Sequence, residues 1–338
     1  MSLSAINDNG KPVDWWFIYK LPDNATSPLG VEPKSKKTSG YEYLYYDADS
    51  TTPLALSPNT LDSNTGALFD TLNQLYSNSA DLGRIFYNDE IPGKGSCLTH
   101  GHTKGVLAFD PVTNTAFWLL HSTPRFPLTD NANFPEDEHI YGQTYLCVTL
   151  KDVATADAIA AQMYCQQQPD TYGCIMPTNG GDPTTWQNLL KLSQGVDLRS
   201  DAPPVDLPFQ SAAGKNFRLL AKNKSWHKDF WIDLVGPKLG VDLEVETWRR
   251  GTVPPTEDSN NKDDVEDVLY INLEGLGIPY EWHYTKDHSK LAVSIGPDWV
   301  CVADLNRDLK QEKRGGGSIC FQNQGLCDGL SKIEKFKA

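Results

Sequence analysis

Gly101-His-Thr-Lys-Gly-Val-Leu-Ala-Phe-Asp110 and Asp287-His-Ser-Lys-Leu-Ala-Val-Ser294 carry the reading of this chain. Each opens on His-x-Lys and runs into an apolar strand. After the first, Pro111-Val-Thr-Asn114 turns the chain into a second strand, Thr115 to His121. After the second, Gly296-Pro297-Asp298 turns it into Trp299 to Leu305. Tyr141-Gly-Gln-Thr-Tyr-Leu-Cys147 then follows in one half and Arg314-Gly-Gly-Gly-Ser-Ile-Cys320 in the other. Two such hairpins can coincide by chance, but a duplicated fold with one HxK per copy accounts for both halves with one idea. The expectation is an α/β fold of two halves, residues 1–200 and 201–338. Each would be a mixed β-sheet flanked by helices, and a pseudo-two-fold would bring the HxK pairs into one cleft.

The surrounding pattern fits such halves. Val13 to Tyr19 and Leu82 to Tyr87 read as strands, Asn59 to Ser77 as a helix capped at Asn59 or Thr60, and Ala154 to Gln166 as another helix. Leu198 to Gln210, rich in Pro and Asp, is the linker candidate. Beyond it come strands at Phe217 to Ala221, Val241 to Trp248 and Val268 to Asn272. A helix from Trp226 to Leu239 is closed by Gly240, and a polar loop spans Pro254 to Asp264.

Residues i and i+2 of a strand share a face, so His102 and Lys104 project side by side, as do His288 and Lys290. Two imidazoles and two ammonium groups repel one another unless an anion lies between them. That is a phosphate site with an acid and a base built in. A neutral imidazole can attack phosphorus while a protonated one opposite donates to the departing oxygen. The lysines can hold the non-bridging oxygens as charge redistributes, so the chemistry calls for no metal and no cofactor.

Composition limits the alternatives. Hydrophobic residues at 39% and charged residues at 22% describe a globular protein. No apolar run approaches the roughly 18–20 residues of a membrane span, so no membrane partner is expected. The formal charge of −14 disfavours nucleic acid at neutral pH. Near pH 5, with seven His charged and about a tenth of 44 carboxylates protonated, it falls to about −3. A polyanionic substrate in an acidic compartment therefore stays open. Nine Trp, seven Cys without a CxxC pair, and the sequons at Asn24 and Asn223 lean towards a secreted, periplasmic or lysosome-like setting. The first ten residues lack the apolar stretch of a signal peptide; either one has been removed or the chain is cytosolic.

The runs PVDWWFIYKLP (12–22), FYND (86–89), GHTKGVLAFD (101–110), FWLLHSTPRFP (117–127), YGQTYLCV (141–148), DHSKLAVS (287–294), WVCVADLNR (299–307) and RGGGSIC (314–320) resemble deoxyribonuclease II, the acid endonuclease family. The likeness extends from Lys11 to about Cys320. It implies the paired-half fold of the phospholipase D superfamily. It also implies metal-independent cutting of duplex DNA at acid pH with little base readout, leaving 3′-phosphates. The catalytic set would be His102, Lys104, His288 and Lys290, with Ser122 and Asn306 as supporting residues. Cys301 and Cys320 match a family disulfide. A clamp around duplex DNA could come from the gap between halves or from a homodimer.

The chain also departs from those patterns. The phospholipase D superfamily has an Asp five residues after the Lys, where Phe109 and Ile295 stand here, which argues against lipid transfer. Ala5 replaces a Cys of the animal enzymes, a hint of bacterial origin, and leaves Cys147 unpaired or paired elsewhere. Cys165 and Cys174 are spaced to close a small loop.

Plainer readings compete at several positions. His100, His102 and His121 could bind a metal, since HxH on a strand is a common ligand pair, and a metal-dependent phosphoesterase is the alternative enzyme. A non-catalytic secreted binding module is the alternative outside enzymology, but leaves both HxK pairs unexplained. His121 either lines the site or satisfies a core hydrogen bond. Arg314, Gly315 and Gly316, with Arg307, could contact a DNA backbone through bare amides and charge, or form a flexible turn on a solvated face.

Overall fold

The computed structural model describes residues 2–26, 37–77, 80–179, 182–196, 201–254 and 264–335. Two sheets carry the fold. An eight-stranded sheet runs Thr171–Ile175, Gly83–Asn88, Lys104–Asp110, Thr115–His121, Gln143–Leu150, Trp15–Lys20, Tyr43–Asp47, Ala55–Leu56, with every neighbouring pair antiparallel. A seven-stranded sheet runs Val205–Gln210, Asn216–Lys222, Gly316–Gln322, Trp299–Ala303, Lys290–Ser294, Leu243–Thr247, Val265–Asp267, where only the last pair is parallel. A mixed sheet was expected in each half; the first is wholly antiparallel, and only Lys104–Asp110 and Thr115–His121 are joined by a tight turn, the other neighbours being brought together by longer connections. The result is a mixed α/β protein dominated by its sheets, with few helices.

Why the strands read as continuous apolar runs follows from what covers them. Along Trp15–Lys20, alternate residues Trp15, Phe17 and Tyr19 enter one apolar cluster, and Trp16 and Ile18 another. The first cluster also takes Leu219, Leu291, Val293 and Phe321 from the second sheet, so the two sheets share a core. Trp15 meets Phe321 edge-on at 4.9 Å between ring centroids. The outer face of the first sheet packs on the helix Ala67–Asn73, and that of the second on Trp231–Leu239.

Three local expectations need correction. The helix expected from Asn59 begins only at Ala67, after Gly66 at φ +98°, because Ser63 and Asn59 bond their side chains to Thr60 and Asp8 instead of starting a helical turn. The helix expected from Trp226 begins at Trp231 and does close on Gly240, at φ +70°. Within the linker candidate, Val205–Gln210 is an edge strand, while residues 198–200 lie outside the described residues, as do 255–263 of the polar loop.

The HxK hairpins are central strands in both sheets. Their first residues in strand conformation are Lys104 and Lys290; His102 and His288 sit just ahead, where the backbone leaves the ladder. Among the described residues no helix is long and apolar enough to cross a membrane.

Candidate active site

Lys104 Nζ lies 3.2 Å from His102 Nδ1, so the first pair stands side by side as expected, although His102 lies just ahead of the strand. Behind it is a residue the sequence did not single out. Asp89, one residue beyond the strand Gly83–Asn88, pairs with Lys104 and lies 3.5 Å from His102 Nδ1. Burial alone would raise this carboxyl; His102, Lys104 and Arg314 outweigh it and hold Asp89 well below the usual carboxylate range.

The second pair is held differently. His288 stacks on Tyr141, with centroids 3.9 Å apart and planes 9° from parallel, and meets Trp248 at 4.0 Å on another side. Asp287 fixes the backbone beside it by accepting from the Tyr19 hydroxyl at 2.6 Å, from Trp282 Nε1 at 2.6 Å and from the Ser289 amide at 2.8 Å. Lys290 is enclosed, and burial with the Lys104 charge pushes its ammonium down to about 7.

The two pairs act on each other. Burial lowers both imidazoles well below the ordinary histidine value. The Lys290 charge adds to that at His102, and the Lys104 charge adds to it at His288. In the resting site both imidazoles are therefore biased towards the neutral form. Buried Asp304, close to Lys104 and Asp89, is pushed up to about 8 chiefly by desolvation and accepts from the Gly317 amide at 3.0 Å.

A cavity of ≈ 470 Å³ opens beside these groups, lined among others by His102, Trp248, Arg250, Lys310, Lys313 and Arg314. Asn306 also lines it, with a buried Oδ1 that has no hydrogen-bond partner among the described residues. In an acidic chain this wall is basic, which suits a polyanion. Arg250, Lys310 and Lys313 belong to no motif of the sequence, and nothing local marked them as cavity residues.

Other expected site residues have different duties. Arg307 is wholly buried and donates to Asp267 at 2.7 Å and to the Pro254 carbonyl at 3.2 Å, so it cannot reach a DNA backbone. Gly315 and Gly316 are buried and form no phosphate cradle. A Cβ at Gly315 would come within 2.5 Å of the Gln167 carbonyl oxygen, and one at Gly101 within 1.8 Å, so both glycines serve close packing. Arg314 spends its guanidinium inside the protein, on the His100 carbonyl at 2.8 Å, the Gly101 carbonyl at 2.9 Å and Asp89 at 3.0 Å. It thereby ties the second sheet's loop to the first HxK. Ser122 is committed to Gln143 and the Thr144 amide. His121 is enclosed between Phe126 and Tyr145, with burial first and then Lys104 pushing it down to about 3.

The trio His100, His102 and His121 is not gathered as a ligand set. His100 Nδ1 lies 3.0 Å from Cys97 Sγ instead, and among the described residues the group able to hold a metal is Cys97, His100 and Asp170, with donor atoms within 4.8 Å of one another. Cys301 and Cys320 form the expected disulfide, between residues paired across neighbouring strands. Cys165 and Cys174 do not; both are free thiols, and Cys174 Sγ faces the Tyr172 carbonyl at 3.5 Å. Cys97, Cys147 and Cys327 are free as well.

Two HxK pairs with lysine charges acting on both imidazoles, and a basic cavity lined by His102, have the chemistry of a hydrolase acting on an anionic ester. The sequence profile of deoxyribonuclease II matches residues 4–336, and the chain belongs to that family of DNA-hydrolysing nucleases. A Burkholderia pseudomallei (strain K96243) protein with the provisional name deoxyribonuclease-2 is 41% identical over 338 residues, covering 99% of this chain and 93% of that protein. Deoxyribonuclease-2 of Caenorhabditis elegans is 32% identical over 365 residues, covering 98% and 92%. Deoxyribonuclease-2-alpha of Sus scrofa is 30% identical over 340 residues, covering 99% and 90%.

Proposed function

We propose that this nuclease is an acid, divalent-metal-independent endodeoxyribonuclease working through a phosphohistidine. The observation that carries the proposal is the two half-buried imidazoles, the first 3.2 Å from its own HxK lysine, each biased towards the neutral form and each feeling the charge of the opposite half's lysine. For one to act as acid it must gain a proton against burial and two ammonium charges, which demands low pH or the charge of a bound phosphate. The rate is then bell-shaped on the acid side, with macroscopic pKa values that belong to the pair.

The reaction balances on these residues. One imidazole nitrogen attacks phosphorus; the N–P bond forms as the P–O5′ bond breaks, and the opposite imidazolium gives its proton to O5′. Water then attacks the phosphohistidine, the now neutral opposite imidazole takes the water proton, and the N–P bond breaks to leave a 3′-phosphate. Lys104 and Lys290 hold the non-bridging oxygens, and Asn306 presents its amide towards the cavity. Duplex DNA is gripped by its backbone with little base readout, and affinity falls with salt.

This reading treats residues 1–200 and 201–338 as phospholipase D-like halves about a pseudo-two-fold, working as a homodimer in a secreted, periplasmic or lysosome-like acidic compartment. Plasmid nicking at pH 5 in EDTA tests it. Wild type cuts, His102→Ala and His288→Ala do not, and Lys104→Ala or Lys290→Ala loses about 10²-fold. A requirement for magnesium, a rate maximum above pH 8, or full activity in either histidine variant overturns the mechanism.

A further inference from the structure

Two lysines far apart in sequence end equivalent strands and do the same thing. Lys20 is the last residue of Trp15–Lys20, and Lys222 the last of Asn216–Lys222; both are fully buried. Lys20 Nζ donates to the carbonyls of Leu21 at 3.0 Å, His139 at 2.8 Å and Tyr141 at 2.7 Å. Lys222 Nζ donates to those of Gln311 at 3.0 Å, Glu312 at 2.7 Å and Arg314 at 2.7 Å. An ammonium has three protons, so each group is saturated by backbone alone.

The loops so gathered cross over. The residue after Tyr141, Gly142, accepts from the His288 amide at 2.8 Å, and the Tyr141 ring stacks on the His288 imidazole. The residue after Arg314, Gly315, accepts from the His102 amide at 2.9 Å, and the Arg314 side chain binds the Gly101 carbonyl and Asp89. The lysine of each sheet thus anchors the loop that seats the histidine of the other sheet.

We infer that Lys20 and Lys222 are positioning residues that couple the two halves of the site crosswise, Lys20 setting the environment of His288 and Lys222 that of His102. The inference rests on the two-histidine reading for its catalytic meaning, while the coupling itself is a property of the fold. Burying a three-donor cation at each crossing point is costly, as the lowering of both ammonium groups to about 7 by desolvation shows. Asp287, Glu138, Asp23 and Glu42 face Lys20 and offset part of that cost; Asp229 and Glu312 face Lys222, with Arg314 opposing. A buried methionine would fill the same space more cheaply but would leave three carbonyls unpaired and the loop free to lift.

Lifting has a signed consequence. His288 is held down by burial first, then by Lys290, Lys104, Arg250 and Lys20, so opening the Tyr141 loop and deleting the Lys20 charge both raise it. His102 is held down by burial, with Lys104, Lys290 and Arg314 adding to that and Asp89 opposing, so withdrawing the 314–315 loop raises it too.

The test is NMR titration of the histidine ring protons in the full-length protein, with His102→Ala and His288→Ala used for assignment. Lys20→Met is expected to move the His288 midpoint up by about one pH unit and leave His102 in place, and Lys222→Met to do the reverse. Lys20→Arg, which keeps charge and donors, is expected to restore the His288 midpoint. In DNA cleavage at pH 5 each Met variant should lose about tenfold in kcat with little change in KM, the mark of lost positioning rather than lost binding. Should a Met variant fail to fold, Tyr141→Ala and Arg314→Met probe the same two crossings at the surface of the site. A shift of the same-sheet histidine, equal shifts of both, or no shift in a folded variant overturns the crosswise coupling. The titration reads out without turnover, so its result stands apart from whether the protein uses a phosphohistidine.

Discussion

Asp89→Asn removes one charge from a place where a lysine, an arginine and a histidine converge. The side chain is 6% exposed, pairs with Lys104, accepts from Arg314 at 3.0 Å and lies 3.5 Å from His102 Nδ1. An amide of the same shape keeps the packing and leaves the lysine and arginine buried without their counter-charge. Breaking a buried ion pair from one side costs about 3–5 kcal/mol, and that is the loss expected in urea unfolding at pH 7. Its pH dependence has a definite sign. Asp89 titrates lower folded than unfolded, so wild type holds this stabilisation above an ordinary Asp value of about 3.9 and loses it as pH falls further. The gap between wild type and variant should be full at pH 7 and 5 and close below pH ~4. Activity should fall about 10²-fold. Its optimum should move to lower pH, because Asp89 is the one charge among those acting on His102 that favours the imidazolium. A double-mutant cycle with Arg314→Met isolates the tie between the sheets, for which a coupling of at least about 1 kcal/mol is expected. Additive effects, with a stability loss under about 1 kcal/mol and an unmoved pH optimum, would refute the role given to this carboxylate.

Two further outcomes test the framework around the site. Glu246 is wholly buried, and neither carboxyl oxygen has a hydrogen-bond partner among the described residues; burial first, then the Asp287 charge, raises its pKa. A carboxyl raised by folding stabilises below its unfolded value of about 4.3 and that contribution is lost as pH rises through the folded value, so Glu246→Gln should raise Tm more at pH 7.5 than at pH 4.5. Equal gains at both values would mean that this group does not titrate with folding. Reduction of Cys301–Cys320, which are 19 positions apart, should cost about 3 kcal/mol in urea unfolding through the freed loop, and an unchanged midpoint in dithiothreitol would exclude that contribution.

Much of this protein is written in short-range pattern. Apolar runs and turn residues marked the hairpins Lys104–Asp110/Thr115–His121 and Lys290–Ser294/Trp299–Ala303 almost to their ends, because short apolar runs and Pro/Gly turns are local chemistry. Lys104 does stand beside His102, although His102 lies just outside the strand, so the strand period alone does not set that contact. The repeated order of motifs marked both pairs before any packing was visible. Where helices start was misread at Asn59 and Trp226, since side-chain bonds to Asp8, Thr60 and Asp233 compete with the helix in ways a cap pattern does not register.

What surrounds the histidines was decided by contacts across the chain. Asp89 and Arg314 are 225 residues apart, Tyr19 and Asp287 are 268 apart, and nothing adjacent to either member announces the other. The same glycine run that suggested a phosphate loop became the packed start of an interior strand, because the Gln167 carbonyl arrives from another part of the fold. Arg307 and Arg314 look alike in the chain, yet one is sealed under Asp267 and the other bridges two sheets. Charge identity is a property of a residue. Whether that charge meets water, substrate or a buried partner depends on the low-dielectric surroundings that only the packed sheets create.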